Sequence, residues 1–443
     1  MTTRGKVLVL GAGLVARPLV RYLLDRGFAA TVASRTVAKA DALIDGHPAG
    51  RACAWTADRA TELGRMVADH DLAVSLLPAP SHPIVAAACI AARKHMVTTS
   101  YVSPQMREYD APARAAGLTF LNETGVDPGI DHMSIMRVID AVRAKGGVLA
   151  ELRSCCGGLP APDANTNPFG YKFSWSPAGV LSAMTNPSRF REDGVLHDDP
   201  PGGLFAHVRP VTITGLGEME YYPNRDSMSY IELYGLGSVR TMFRGTFRYP
   251  GWGRFWGCFW KAGLLDRSPR GGLAGSTWAR VMADLVGGAP GAGLRERVAA
   301  RAGVSPDDQA MDWAEWLGLF TDTPVDDQGT LLDSVAALML AKMSYGPGER
   351  DMLLMQHTFR ADYPDGSSDA ITSTMLDYGI PDGDSSMART VSLPAAIATR
   401  LVLEGRITHR GVCIPVLSEI YDPLLDELKD IGIRLEEEWT SAR

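Results

Sequence analysis

The sequence predicts an α/β fold in three parts. These are a doubly wound parallel sheet at the N-terminal end, a second α/β domain with a mixed or antiparallel sheet, and a small inserted all-helical domain. Three observations predict it. The apolar run Lys6-Val7-Leu8-Val9-Leu10 leads straight into Gly11-Ala12-Gly13 and then into a helical pattern. Strand-like and helical stretches alternate from there to Leu121. Beyond residue 130 longer strand-like runs take over, interrupted across residues 266–345 by helical periodicity.

Residues 6–10 read as a buried parallel strand. Val15 to Arg26 carry apolar positions at helical spacing, and Gly27 ends that helix. Thr31–Ser34 is a second strand, and Asp71–Pro78 another with a loop behind it. The stretch from Leu72 to Ala92 carries no Asp, Glu, Lys or Arg, and a membrane helix needs roughly 20 mainly apolar residues. Pro78, Pro80 and Pro83, with Ser81 and His82, break it into a strand, a loop and a helix. His95–Thr99 and Leu118–Leu121 continue the strand series.

In the second part, Gly235 to Tyr249 reads as a strand, and Met352–Tyr363 with Ala370–Tyr378 as a hairpin around Asp365-Gly366. Between them Trp278–Val286, Leu294–Arg301, Ala310–Phe320 and Leu331–Met343 read as helices. Pro394–Leu403 and Pro423–Ile431 give two more. The aromatic segment Trp252–Trp260 reads as core or subunit contact rather than a ligand site. The expected domains are 1–130, completed by C-terminal helices within 394–443; 131–265 with 346–393; and the helical insert 266–345.

The length of 443 residues suits two or three domains. A net charge of -7 argues against a nucleic-acid partner. The six cysteines are irregularly spaced, without a CxxC pair, and read as reduced thiols. The nine histidines show no metal-ligand spacing, so no metal is expected. The N-terminal apolar run is too short for a signal peptide and lacks a cleavage pattern. With no membrane segment, a cytoplasmic location is the expectation.

Gly11-x-Gly13-x-x-Ala16, between a strand and a helix, is the dinucleotide-binding fingerprint of a Rossmann-like domain. Gly11 permits the tight turn, Gly13 lets backbone approach a pyrophosphate, and Ala16 allows close helix–strand packing. Ala12, Leu14 and Val15 complete the turn. The bland reading is a glycine turn without a ligand, and the strand–helix context weighs against it. The second strand ends in Ser34-Arg35-Thr36, where an NAD site would carry an acid. A guanidinium and hydroxyls suit a 2′-phosphate, so NADP(H) is expected over NAD(H).

Asn122 to His132, reading Asn-Glu-Thr-Gly-Val-Asp-Pro-Gly-Ile-Asp-His, falls where strand carboxyl ends bind ligands, and Ser100-Tyr101 falls at the same edge. With these residues in view, the sequence resembles the saccharopine dehydrogenase family of the glutamate-forming type, also called saccharopine reductase. The likeness runs nearly end to end. It is carried by Val9–Ala16, Ser100–Pro104, Glu123–His132, Cys156–Pro162, Asn167–Ser176, Tyr222–Asp226, Arg244–Tyr249, Met387–Val391 and Arg410–Val412. The helical segment 266–345 matches poorly, and Thr56 stands where related sequences often carry an acid.

The resemblance implies three domains, a homodimer, and a reaction in which α-aminoadipate semialdehyde condenses with glutamate and NADPH reduces the imine to saccharopine, or the reverse. Saccharopine carries three carboxylates, which Arg225 and Arg248 suit as bidentate partners. Ser100, Tyr101, Asn224 and Thr246 add neutral donors, with Phe247 and Asp127 in the same substrate set. Asp127, Tyr101 and Cys156 are the implied catalytic groups, for charge stabilisation and proton transfer. The implied cofactor contacts add Thr56, Leu76, Leu77, Pro78, Val126, Asp127 and Trp175. Taken alone, Asp127 would read as a turn residue and Cys156 as a small buried hydrophobe. The alternatives are an opine-type or carboxynorspermidine-type imine reductase, whose polyamine substrates would favour acids over paired arginines, and a non-catalytic NADP-binding sensor.

Overall fold

The computed structural model describes residues 4–442. The chain divides into two compact units, one running to Gly147 and resumed over Ser373–Glu438, the other spanning Val148–Thr372 and the segment from Trp439.

Among the described residues the strands are β1 Lys6–Leu10, β2 Ala29–Ser34, β3 Gly50–Ala54, β4 Leu72–Ser75, β5 His95–Thr98 and β6 Thr119–Leu121. They continue with β7 Val148–Pro160, β8 Ser188–Glu192, β9 Val195–Asp199, β10 Arg209–Ile213, β11 Gly217–Pro223 and β12 Thr241–Arg248. The last are β13 Asp351–Asp362, β14 Ser368–Tyr378, β15 Gly411–Cys413 and β16 Glu436–Ala442.

In the first unit the strand order is β15-β6-β5-β4-β1-β2-β3, and the pairings are parallel throughout. This is the doubly wound order whose direction reverses between β1 and β4, where such sheets open a ligand crevice. Val7 to Leu10 are fully buried, as a strand covered on both faces requires. The helix Arg17–Asp25 carries Pro in its first turn, where the missing N–H costs nothing. C-terminal chain returns to this unit. The Tyr22 hydroxyl donates to Glu427 Oε1 at 2.6 Å, and Arg400 Nε donates to the Tyr22 oxygen at 2.9 Å.

The second sheet is mixed. Its order is β10-β11-β12-β7-β13-β14-β16, with β8 against β12 and β9 against β8. β12 and β7 run parallel, while β7–β13, β11–β12 and β10–β11 are antiparallel. The expected hairpin is present: Gly366 takes a φ of +83°, and Tyr363 N–H donates to the Ser367 carbonyl at 2.9 Å.

Several elements differ from expectation. The run from Gly235 contributes only Thr241–Arg248 to the sheet, since the Gly235–Val239 stretch turns back after a helix at Ser229–Leu233. Pro394 and Pro423 do not start helices. They lie inside Ser386–Leu403 and Ser418–Asp430, each forfeiting one backbone hydrogen bond that the rest of the helix outweighs. Trp252–Lys261 is a helix whose Trp252, Phe255, Trp256 and Phe259 are fully buried, so those rings are core and offer nothing to a subunit contact.

Candidate active site

At the carboxyl ends of β1, β2 and β4 lies a cleft of about 450 Å³, lined among others by Gly11, Ala12, Gly13, Ser34, Arg35, Thr36, Thr56, Leu76, Leu77 and Pro78. The glycines there do different work. Gly11 has φ +113°, and a Cβ on it would stand 3.0 Å from the Leu76 carbonyl oxygen. A Cβ on Gly13 would meet nothing within 4 Å, so the missing side chain leaves open space beside backbone. Lys39, in the first turn of the helix Val37–Ile44 after Arg35, also lines the cleft, and no acid is among the lining residues. Two cations, the hydroxyls of Ser34, Thr36, Thr56 and Ser81, and an uncovered glycine fit a phosphate-bearing dinucleotide with a 2′-phosphate. Leu14, 73% exposed, and Val15 lie in the turn but do not line the cleft, and neither does Val126.

The second cluster of the first unit follows β5 and β6. The Tyr101 hydroxyl donates to Asp127 Oδ1 at 3.1 Å, which brings together two residues expected to act at one bond. Their loops are braced from behind. Glu123, with φ +57°, accepts from Val102 N–H at 2.9 Å through one carboxylate oxygen and meets His132 Nε2 at 2.8 Å through the other. Asp131 accepts from Gly129 N–H at 2.6 Å. Ser100 Oγ lies 2.8 Å from Nε2 of the buried His82, whose Nδ1 lies 2.9 Å from Ser75 Oγ.

In the second unit, register places Cys156 beside Thr246, Tyr222 beside Thr246, and Glu220 beside Arg248. Because side chains alternate along a strand, Cys156, Thr246 and Arg248 share one face and the Phe247 side chain takes the other. Arg248 is 6% exposed. Its guanidinium lies 5.0 Å from the Tyr171 ring centre and 5.2 Å from that of Trp252. Nη1 donates to the Phe247 carbonyl at 2.7 Å, and Nε has no partner among the described residues. Glu220 accepts from Gly251 and Gly253 N–H at 2.9 and 2.6 Å, at the start of the helix Trp252–Lys261. Burial raises its carboxyl above the usual range, against the pull of those N–H groups and of Arg248. Arg225 is exposed with φ +59°, and Asn224 N–H donates to the Arg244 carbonyl at 2.9 Å. Trp175 is half-buried in the loop before the helix Pro177–Ala183.

Comparison with known proteins places most of these residues within two family models. The saccharopine dehydrogenase NADP binding domain model matches residues 7–121, and the saccharopine dehydrogenase C-terminal domain model matches 125–433. The chain belongs to the saccharopine dehydrogenase family. It is 39% identical, over 98% of both chains, to saccharopine dehydrogenase [NADP(+), L-glutamate-forming] of Schizosaccharomyces pombe. It is 38% identical to the mitochondrial alpha-aminoadipic semialdehyde synthase of Mus musculus, over 98% of this chain and 48% of that one. The apo structure of saccharopine dehydrogenase (L-Glu forming) from Saccharomyces cerevisiae superposes with a TM-score of 0.90 at 37% identity, covering 98% of this chain and 100% of that one.

For this saccharopine dehydrogenase family member, then, the cleft beside Gly11 and Gly13 falls within the family's NADP-binding domain. Sequence reasoning missed Lys39, Ser81 and His82. Lys39 was within reach, because it lies in the first turn of the helix Val37–Ile44 that follows Ser34-Arg35-Thr36 directly. In the sequence His82 reads only as part of a break in an apolar stretch, because its partners are Ser75, the last residue of β4, and Ser100, two residues past the end of β5. Among the described residues no cluster of His, Cys, Asp and Glu could hold a metal ion, and no helix is long and apolar enough to cross a membrane.

Proposed function

We propose that this protein is an NADP-dependent oxidoreductase that joins glutamate to α-aminoadipate semialdehyde as saccharopine, or runs the reverse. The observation that carries the reading is the end-to-end likeness to glutamate-forming saccharopine dehydrogenases. The acid-free cleft at Arg35 and Lys39 supports NADP(H) as the cofactor. The amine of glutamate adds to the aldehyde and water leaves, giving an imine. When bound, NADPH supplies the hydride that reduces the protonated carbon–nitrogen double bond. The Asp127 carboxylate stabilises the iminium charge, oriented by the Tyr101 hydroxyl that donates to it. Cys156 joins them in proton handling. Arg225 and Arg248 hold substrate carboxylates with Ser100, Asn224 and Thr246, and the buried Nε of Arg248 is the donor with most to gain. The backbone of Phe247 fixes the Arg248 fork through its carbonyl.

Purified protein with saccharopine and NADP⁺ should form NADPH and release glutamate. Turnover of a different amine–carbonyl pair, with none of saccharopine, would transfer the assignment to another imine reductase. Asp127→Asn keeps the shape and removes the charge. It should lower kcat by roughly a hundredfold and change the pH profile, with NADPH binding nearly intact. Full kcat with an unchanged profile would reduce Asp127 to a turn residue.

The proposal extends to a cytoplasmic homodimer that meets through the second sheet. The family resemblance supports the dimer, and the thiol pattern supports the location. Light scattering that finds only a 47.7 kDa species at micromolar concentration overturns the dimer, and cell fractionation tests the location.

A further inference from the structure

The ring of His82 sits between two serines, and the arrangement fixes which way their protons point. His82 is 1% exposed and Ser75 is fully buried. Ser75 Oγ lies 2.9 Å from Nδ1, and Ser100 Oγ lies 2.8 Å from Nε2. The strands impose this meeting. Ser75 ends β4 and pairs in parallel register with Thr98, which ends β5 two residues before Ser100. Burial pushes His82 down to about 4, so at neutral pH the ring is uncharged and carries one donor and one acceptor nitrogen.

Which nitrogen holds the proton follows from Ser75. Its hydroxyl is sealed from water, and among the described residues its one acceptor is His82 Nδ1. A buried O–H left without an acceptor is costly, so Ser75 donates to Nδ1. Nδ1 is then the acceptor and Nε2 carries the hydrogen, which it donates to Ser100 Oγ. The opposite tautomer would let Nε2 accept from Ser100 Oγ at 2.8 Å or Thr98 Oγ1 at 3.4 Å, but it strands the fully buried Ser75 proton, whereas the half-buried Ser100 hydroxyl can find another acceptor. Ser100 is half-buried, accepts from the ring, and keeps its own O–H for whatever lies outward.

We propose that His82 is a positioning residue that occupies one lone pair of Ser100 Oγ and turns its O–H outward as a donor, biasing this point of the site toward an anionic oxygen, a substrate carboxylate, over an ammonium or amine. The inference deepens the proposed function and rests on Ser100 lining the substrate site. Ser75 and His82 touch no substrate and act only by directing one proton.

The test is a cycle of variants read with saccharopine and NADP⁺. Ser100→Ala should raise the saccharopine KM roughly tenfold or more, as expected for a lost hydrogen bond to a charged group, and leave the NADP⁺ KM alone. An unchanged KM would mean that Ser100 is outside the substrate site, whatever His82 does. His82→Leu should raise the same KM with kcat largely kept, and should add nothing in the Ser100→Ala background. His82→Gln, whose amide N–H₂ can replace Nε2–H, should restore most of the loss. A His82→Leu effect that adds fully to Ser100→Ala, or raises both KM values alike, overturns the proposal in favour of a packing role. Imidazole ¹⁵N shifts of the parent protein, assigned by difference with His82→Gln, give a readout independent of activity and of how the Leu variant folds. They should show the Nε2–H tautomer, and an Nδ1–H tautomer overturns the inference.

Discussion

Arg35 and Lys39 of the first unit and Arg244 and Arg248 of the second are kept in opposite states, while Arg225 of the second unit is exposed like the first pair. Arg35 and Lys39 stand exposed at the cofactor cleft. Arg244 and Arg248 are both 6% exposed, with Arg244 lying 4.1 Å from the Tyr230 ring centre and Arg248 between Tyr171 and Trp252. An exposed cation keeps its hydration until an anion arrives, so it contributes little to folding and its pull is screened by salt. A buried one is desolvated in advance and held by ring faces and stem packing. It is rigid before any substrate binds, and removing it disturbs the fold as well as the ligand. The difference suits a reaction in which the cofactor must exchange while the substrate must be placed against the reacting bond.

The largest expected effect is therefore at Arg248. Arg248→Ala removes a long side chain packed among Tyr171, Trp252 and buried Glu220, and should cost about 2–4 kcal/mol of stability, read by urea unfolding. Arg248→Met keeps volume without charge. It should recover much of the stability while the saccharopine KM stays raised. If Arg248→Ala unfolds at the parent's urea midpoint, the buried state of this cation does not support the fold and the contrast between the units breaks.

The same contrast explains what was legible beforehand. The first sheet is built from consecutive strand–helix steps, so local apolar runs and the Gly11-x-Gly13 turn suffice to read it. Even there β3 and β15 escaped. β3 is only half-buried and lacks an apolar run, and β15 has three residues and arrives from the far end of the chain. The second sheet depends on distant pairing. β7 lies between β12 and β13, and no local pattern announces that Cys156 will stand beside Thr246. The prolines misled for a physical reason. Pro is favoured in a first turn, so Pro394 and Pro423 read as starts, whereas Ser385 caps the first helix by accepting from Ala388 N–H at 3.0 Å, well before Pro394. At the site, Tyr101 and Asp127 were named from motif strings, but the hydrogen bond between them requires β5 and β6 side by side.

Arg35 should give the next effect. Arg35→Ala should leave stability within about 0.5 kcal/mol of the parent, as for an exposed residue. It should raise the NADPH KM by the equivalent of roughly 1.5–3 kcal/mol, the worth of a charged hydrogen bond to phosphate, with NADH use little changed. Equal loss with both cofactors would place Arg35 outside the 2′-phosphate site. A large loss of stability would show that the exposed cations also support the fold.

Lys39 should give the smallest effect and the sharpest check on exposure as the deciding variable. It lies on the helix Val37–Ile44, lines the same cleft as Arg35, and is exposed. An ammonium on a flexible stem acts as a point charge rather than a planar fork, so its contribution to a phosphate is electrostatic and easily screened. Lys39→Gln should therefore raise the NADPH KM only by the equivalent of about 0.5–1 kcal/mol at low ionic strength. That increment should shrink as salt rises past the point where the screening length falls below about 10 Å. The Arg35 increment should persist further, because a bidentate hydrogen bond survives screening better than a bare charge. In Arg35→Ala the phosphate loses its geometric anchor, and the Lys39→Gln increment should change there if the two cations share one anion. Strict additivity of the two, with the same salt dependence for each, would mean that they act on the cofactor separately and that Lys39 contributes only to the general field of the cleft.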